Sequence, residues 1–189
     1  YDLTFKFSHE TNYTSTPQTV TYSMIDEPNT TGVVVYKVYG KTTYTTAATF
    51  YINRSGTDSS DTEYENGIST SSVKEFSTFT HNIAEQKVQG RVLETLAGSA
   101  DGRTLTVSSG TYTLENVTTD FATDSSSGWM HMTGSTIDYK PPPGTRQIIY
   151  KYTFNISSPN ADNASVFTLR MSVDNTGLPY SYRQYGNGT

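Results

Sequence analysis

The stretch STIDYKPPPGTRQIIYKYTFNI, residues 135–156, narrows the folds open to this chain more than any other. Ile148, Tyr150, Tyr152, Phe154 and Ile156 alternate with Ile149, Lys151, Thr153 and Asn155. Successive side chains on a strand point to opposite faces, so the pattern predicts a strand with one buried and one largely wet face. Three prolines and a glycine precede it. Pro143 fixes φ at the second position of a turn and Gly144 supplies φ > 0 at the third, as a type II turn requires. Pro141 and Pro142 have no backbone donor and do not fit inside a central sheet. The expectation is a short strand over 137–140, a stiff corner, and a long core strand.

Much of the remaining chain reads the same way. Leu3, Phe5 and Phe7 alternate with polar residues, so a strand is expected from the first residues, as in a processed or cut chain. Residues 19–24 form a weaker strand pattern. Residues 33–39 form an apolar run expected to be buried on both faces, and 43–52 alternate; their closeness predicts an antiparallel hairpin. Val73 and Phe76 suggest a packed strand within 68–79. Asp101-Gly102 and Ser109-Gly110 are turn signals around a second predicted hairpin, with Leu105, Val107, Tyr112 and Leu114 inward. Short strands are expected at 129–133 and 166–173. Ile83, Val88, Val92 and Leu96 stand near helical spacing, interrupted by Gly90, and allow at most one short helix near residues 83–96. Short strands between turn signals, without βαβ spacing, predict an all-β, antiparallel jelly-roll or β-sandwich.

The composition excludes several functions. With 13 basic and 18 acidic residues the net charge is −5, and no basic block or arm is present. A nucleic-acid binder needs such a patch to displace phosphate counterions, so no nucleic-acid contact is expected. No apolar run reaches membrane-span length, so no membrane insertion is expected. There are no cysteines, hence no disulfide, thiolate metal site or cysteine nucleophile. Neither cofactor nor metal is expected.

Candidate sites are sparse. Asp58, Asp61, Glu63 and Glu65 lie in one loop but lack the glycine of a calcium-binding EF-hand, and read as a solvated loop. His9, His81 and His131 sit in no catalytic motif, and no nucleophile elbow or phosphate loop occurs. The chain therefore reads as non-enzymatic; the enzyme version worth testing is a glycosidase with two acids across a cleft. Asn12, Asn29, Asn53, Asn116, Asn155, Asn163 and Asn187 each begin a glycosylation sequon. Tyr180, Tyr182 and Tyr185 are the binding candidates, because a tyrosine offers a flat apolar ring and a hydroxyl at small entropic cost. They could contact a neighbouring subunit, stack on sugars, or cap sheet edges.

Three segments carry a family resemblance: GRVLETLAGSADGRTLTVSSGTYTLENV (90–117), TGSTIDYKPPPGTRQIIYKYTFNI (133–156) and FYINRSGTDSSDTEYENGISTSSVKEF (50–76). Together they resemble jelly-roll, C1q/TNF-like fibre-head or capsid-surface proteins of marine viruses, both tailed phages and large algal DNA viruses. The resemblance spans about half of the chain. It divides the sequence into residues 1–80, similar to the closing half of a jelly roll, a connector over 81–118, and residues 119–189, similar to the opening half. That order is inverted, which fits a piece of a tandem array, a permuted domain, or strand exchange between subunits. The resemblance implies a structural protein at the virion surface, a self-assembling fibre head or capsid decoration with a host-attachment role. Its implied partners are its own copies, as a trimer, other virion proteins, and host surface glycans. A carbohydrate-binding adhesin module, or an extracellular filament subunit assembled by strand exchange, is the alternative.

Overall fold

The computed structural model describes residues 4–5, 18–42, 48–53, 67–77, 80–82, 87–89, 92–117, 121–123, 128–157 and 167–185. Among these residues seventeen strands follow in chain order. They begin with β1 (Thr4–Phe5), β2 (Gln18–Asp26), β3 (Val34–Thr42), β4 (Ala48–Ile52), β5 (Thr70–Ser77) and β6 (Thr80–Asn82). Next come β7 (Lys87–Gln89), β8 (Val92–Ser99), β9 (Thr104–Val107), β10 (Gly110–Thr113), β11 (Phe121–Thr123) and β12 (Met130–His131). The last are β13 (Ile137–Tyr139), β14 (Thr145–Ser157), β15 (Phe167–Val173), β16 (Thr176–Gly177) and β17 (Arg183–Tyr185). Among the described residues the only helical turn is the 3₁₀ turn Pro179–Ser181.

Two sheets carry the architecture. The first runs β1-β17-β15-β3-β12, with β13 also on β3 and β16 on β15. The second runs β11-β4-β14-β5-β8, with β2 also on β14. Pairing is antiparallel except for the two-residue contact of β1 with β17. The fold is thus all-β and sandwich-like.

The long strand behaves as its alternation predicts. Ile148, Tyr150, Tyr152, Phe154 and Ile156 are buried, while Lys151 is exposed and Ile149, Thr153 and Asn155 are half-buried. Over 148–153, β2 lies along one edge of β14 and β5 along the other. The corner before it also forms as expected. Pro142 accepts a hydrogen bond from Thr145 N at 3.2 Å, Pro143 and Gly144 are the central residues, and Gly144 has φ 93°. This corner moves the chain from β13 in the first sheet to β14 in the second.

The inner faces meet in one apolar cluster, with Val34, Tyr36, Val38, Phe167, Leu169 and Met171 from the first sheet. Tyrosine is its distinctive component. Tyr36 and Tyr150 stack across the sheets at 5.7 Å. The Tyr36 hydroxyl donates to Asp26 Oδ2 at 2.8 Å. Tyr150 donates to the Ser135 carbonyl and Tyr152 to the Thr133 carbonyl. The segment 133–135 is thereby fastened between the sheets, and the buried hydroxyls have the partners they require.

Several expectations are corrected. β3 and β4 do not form a hairpin: β3 is flanked by β15 on one side and β12 and β13 on the other, while β4 pairs with β11 and β14. Alternation identifies a strand without naming its neighbour. Nor is β3 buried on both faces; it alternates buried with half-buried positions. The helix allowed near 83–96 is replaced by β7 and β8 where the chain is described. In β8, Glu94 and Leu96 are buried and Thr95 is exposed, a period of two that overrides the helical spacing. The hairpin of β9 and β10 does form, turning at Ser108-Ser109. The blocks 1–80, 81–118 and 119–189 share the sheets: β14 and β15 pair with β2, β3, β4 and β5, and β8 pairs with β5. The strands expected at 148–156 and 166–173 bury Tyr150, Phe154, Phe167 and Leu169; the side chains of Phe5 and of Phe50 in the 43–52 stretch lie outside the described set.

Candidate functional site

The outer face of the first sheet brings together three aromatic side chains that stay partly open to water, Tyr39, Trp129 and Tyr182. In β15, Leu169 and Met171 point into the core, so Arg170 points out. Strand register sets Arg170 opposite Tyr39 and Thr168 opposite Lys41. His131 lies on the far side of Tyr39, and Trp129, two residues earlier, takes the same face. Arg183 pairs with Leu169, which brings Tyr182 beside Arg170.

These side chains support one another. Trp129 and Tyr182 stack with ring centres 5.4 Å apart and planes 8° from parallel. The Arg170 guanidinium lies 4.5 Å from the centre of Trp129 and 5.5 Å from that of Tyr39. Lys41 Nζ lies 5.5 Å from the Trp129 ring centre. Cations over aromatic faces are attracted by the ring quadrupole. Gly177 completes the seat, since a Cβ there would stand 2.7 Å from Arg170 Cζ. Arg170 Nε is buried and has no hydrogen-bond partner among the described residues. Neither Arg170 nor Lys41 makes a salt bridge among them.

The expected tyrosine trio is only partly assembled. Tyr182 is 38 % exposed and joins Trp129, whereas Tyr180 on the 3₁₀ turn is 96 % exposed. Tyr185 belongs to β17, and its side chain lies outside the described set. Trp129, Arg170, Lys41 and Tyr39 were not among the sequence candidates. Their signal is phase: Tyr39 and Lys41 occupy the wet alternate positions of β3, and Arg170 that of β15.

The sequons separate into kinds. Asn29 and Asn116 are exposed. Asn53 donates through Nδ2 to the buried Ser69 Oγ at 2.6 Å and accepts at Oδ1 from Asn155 N at 3.2 Å. Asn155 accepts from Thr19 Oγ1 at 2.6 Å and packs its amide over Gly67, where a Cβ would lie 1.7 Å from Nδ2. Asn12, Asn163 and Asn187 lie outside the described residues, as do Asp58, Asp61, Glu63, Glu65 and His9. His81 is in β6, its side chain outside the described set.

Two polar clusters have the ingredients of chemistry in another arrangement. His131 Nε2 lies 3.4 Å from Ser135 Oγ and 3.4 Å from Glu115 Oε2. A catalytic relay uses the two ring nitrogens separately, whereas here serine and acid meet the same one. The Ser135 hydroxyl donates to the Met132 carbonyl at 2.6 Å. Burial raises the Glu115 pKa, but hydrogen bonds from His131 and Thr136 outweigh it and hold the carboxyl below its ordinary value.

The second cluster pairs two buried acids. Glu94 accepts from Ser108 Oγ (2.5 Å), Ser109 N (2.9 Å), Ser109 Oγ (2.5 Å) and Tyr139 OH (2.7 Å). Burial pushes its pKa up, but these donors more than offset that and the net shift is downward. Glu75 is fully buried, accepts from Thr145 Oγ1 at 2.5 Å, and leaves Oε2 without a partner among the described residues. Burial, aided by the Glu94 charge, raises its pKa despite hydrogen bonds from Thr145 and Tyr139. An acid pair pushed apart in pKa is the pattern of general acid and base. A depression of about 510 Å³ lies nearby, lined by Ser108, Ser109, Lys140 and Pro141 to Pro143 among others. Both Glu94 oxygens are already taken by donors, and Glu75 is not exposed to it.

No family model, curated protein or solved structure matches the chain.

Proposed function

We propose that this chain is a non-enzymatic, surface-displayed structural module of a virus particle, a fibre head or capsid decoration that self-assembles as a trimer and attaches through one sheet face. The resemblance of its three segments to viral jelly-roll surface proteins suggests the setting, and the all-β sandwich-like fold is compatible with it. The observation that carries the attachment role is the division of its aromatic residues. One set is sealed in the core with its hydroxyls tied. The other, Tyr39, Trp129 and Tyr182, is displayed with Arg170 and Lys41 on the outer face of the first sheet. Aromatic and arginine side chains are the residues that dominate recognition surfaces.

Native mass across a concentration series tests the assembly. The expected result is a stable trimer. A monomer at every concentration overturns the trimeric head and leaves the second reading, a monomeric glycan-binding module, which the open ring of Tyr180 favours.

A further inference from the structure

Within the attachment role proposed above, and resting on it, the geometry points to an acidic saccharide as the ligand: a sugar chain bearing carboxylate or sulfate groups, with Arg170 as the residue that reads the anion. Arg170 is held in position before any ligand arrives. Its guanidinium rests on Trp129 at 4.5 Å and against Gly177, where any side chain would collide with it. Planar guanidinium groups bind carboxylate and sulfate oxygens through two parallel N–H donors, and pre-positioning reduces the entropy lost on binding. The buried Arg170 Nε has no hydrogen-bond partner among the described residues, and a buried unpaired donor requires a reason.

Lys41 places a second positive charge on the same indole. Among the described residues these two cations stand together without an acidic partner, on a chain whose net charge is −5. The neighbouring ring fits a sugar: Tyr182, stacked on the indole that carries both cations, leaves 38 % of its surface exposed. Two cations do not supply the extended positive track that a nucleic-acid backbone requires.

The test is calorimetric titration with three short probes: an oligogalacturonate, a sulfated galactose oligomer and a neutral galactose oligomer. Either acidic probe should bind more tightly than the neutral one, with affinity falling as salt rises, and comparing the two acids identifies the preferred anion. Arg170→Met should weaken acidic binding by about tenfold or more. Lys41→Met should weaken it by roughly threefold. Lys151→Met, on the outer face of the other sheet, should leave it unchanged. If Arg170→Met fails to fold, Arg170→Lys keeps the charge without the fork and should still weaken binding.

Equal binding of neutral and acidic probes overturns the inference while the attachment role stands. So does a short DNA duplex binding as tightly as the acidic sugars, which would mark non-specific polyanion attraction. Loss of oligomerisation in Arg170→Met with no sugar bound would reassign the face to subunit contact, which overturns the inference and the attachment role together and leaves only the self-assembling module. A monomer that binds none of the probes overturns both.

Discussion

Tyr150 and Tyr182 are the same residue put to opposite uses. Tyr150 is fully buried, stacks on Tyr36, and gives its hydroxyl to the Ser135 carbonyl. Tyr182 stacks on Trp129 but leaves more than a third of its surface in water. Between the sheets Tyr36 and Tyr150 stack, and the hydroxyls of Tyr36, Tyr150 and Tyr152 tie neighbouring segments. On the outer face the rings hold a guanidinium whose buried Nε meets no acceptor among the described residues. The difference teaches that the described tyrosines fall into two environments, one sealed between the sheets and one open to water. Replacing one should change stability, and replacing the other should change binding.

The largest expected effect is therefore Tyr150→Ala. Removing a fully buried aromatic side chain should destabilise the fold by about 3–5 kcal/mol, read as a shift in denaturant midpoint. Tyr182→Ala should shift that midpoint by less than about 1 kcal/mol while weakening ligand binding. Similar losses of stability for the two would erase the distinction.

The buried acids sharpen it next. Glu94→Gln withdraws a charged acceptor from three side-chain donors and should cost about 1–3 kcal/mol at neutral pH. Because the folded state lowers the Glu94 pKa below 4.5, its contribution is present above that value and is lost as pH falls through the folded value. Glu75 has the opposite sign. Its raised pKa means that its stabilisation is complete below 4.5 and is lost as pH rises through the folded value. Glu75→Gln should thus become progressively more stable than the parent as pH increases to neutrality. Midpoints measured between about pH 3 and pH 8 check both, and parallel curves would refute the assignment of the two protonation states.

A milder test concerns the surface alone. After secretion from a glycosylating host, peptide mass spectrometry should find glycans at Asn29 or Asn116 and none at Asn53 or Asn155. Occupancy of Asn53 would mean that its hydrogen bond to Ser69 is dispensable.

Local order was legible in the sequence, including the β9–β10 hairpin; long-range pairing was not. The alternation of residues 148–156 and the Pro-Gly corner each lie within a few residues, and both formed as read. The neighbours of β3 were misread because residues 43–52 are near it in sequence, while β15, its actual partner, is remote. The face around Arg170 escaped notice for the same reason, being assembled from β3, β15 and residues beside β12 and β17. Glu75 and Glu94 left a fainter trace, as carboxylates on the apolar phase of their strands beside Val73 and Leu96.

The placement of β14 also governs the order in which the molecule can be made. Thr19 bonds to Asn155 across 136 positions, and β2, β4 and β5 all pair with that one late strand. During synthesis the earlier strands leave the ribosome with apolar faces and open edges, and wait for a centrepiece not yet translated. Such non-local pairing slows folding and prolongs the interval in which edges can find wrong partners. Halting translation before residue 145 should leave a protease-sensitive nascent chain, and resistance should appear only once β14 has emerged.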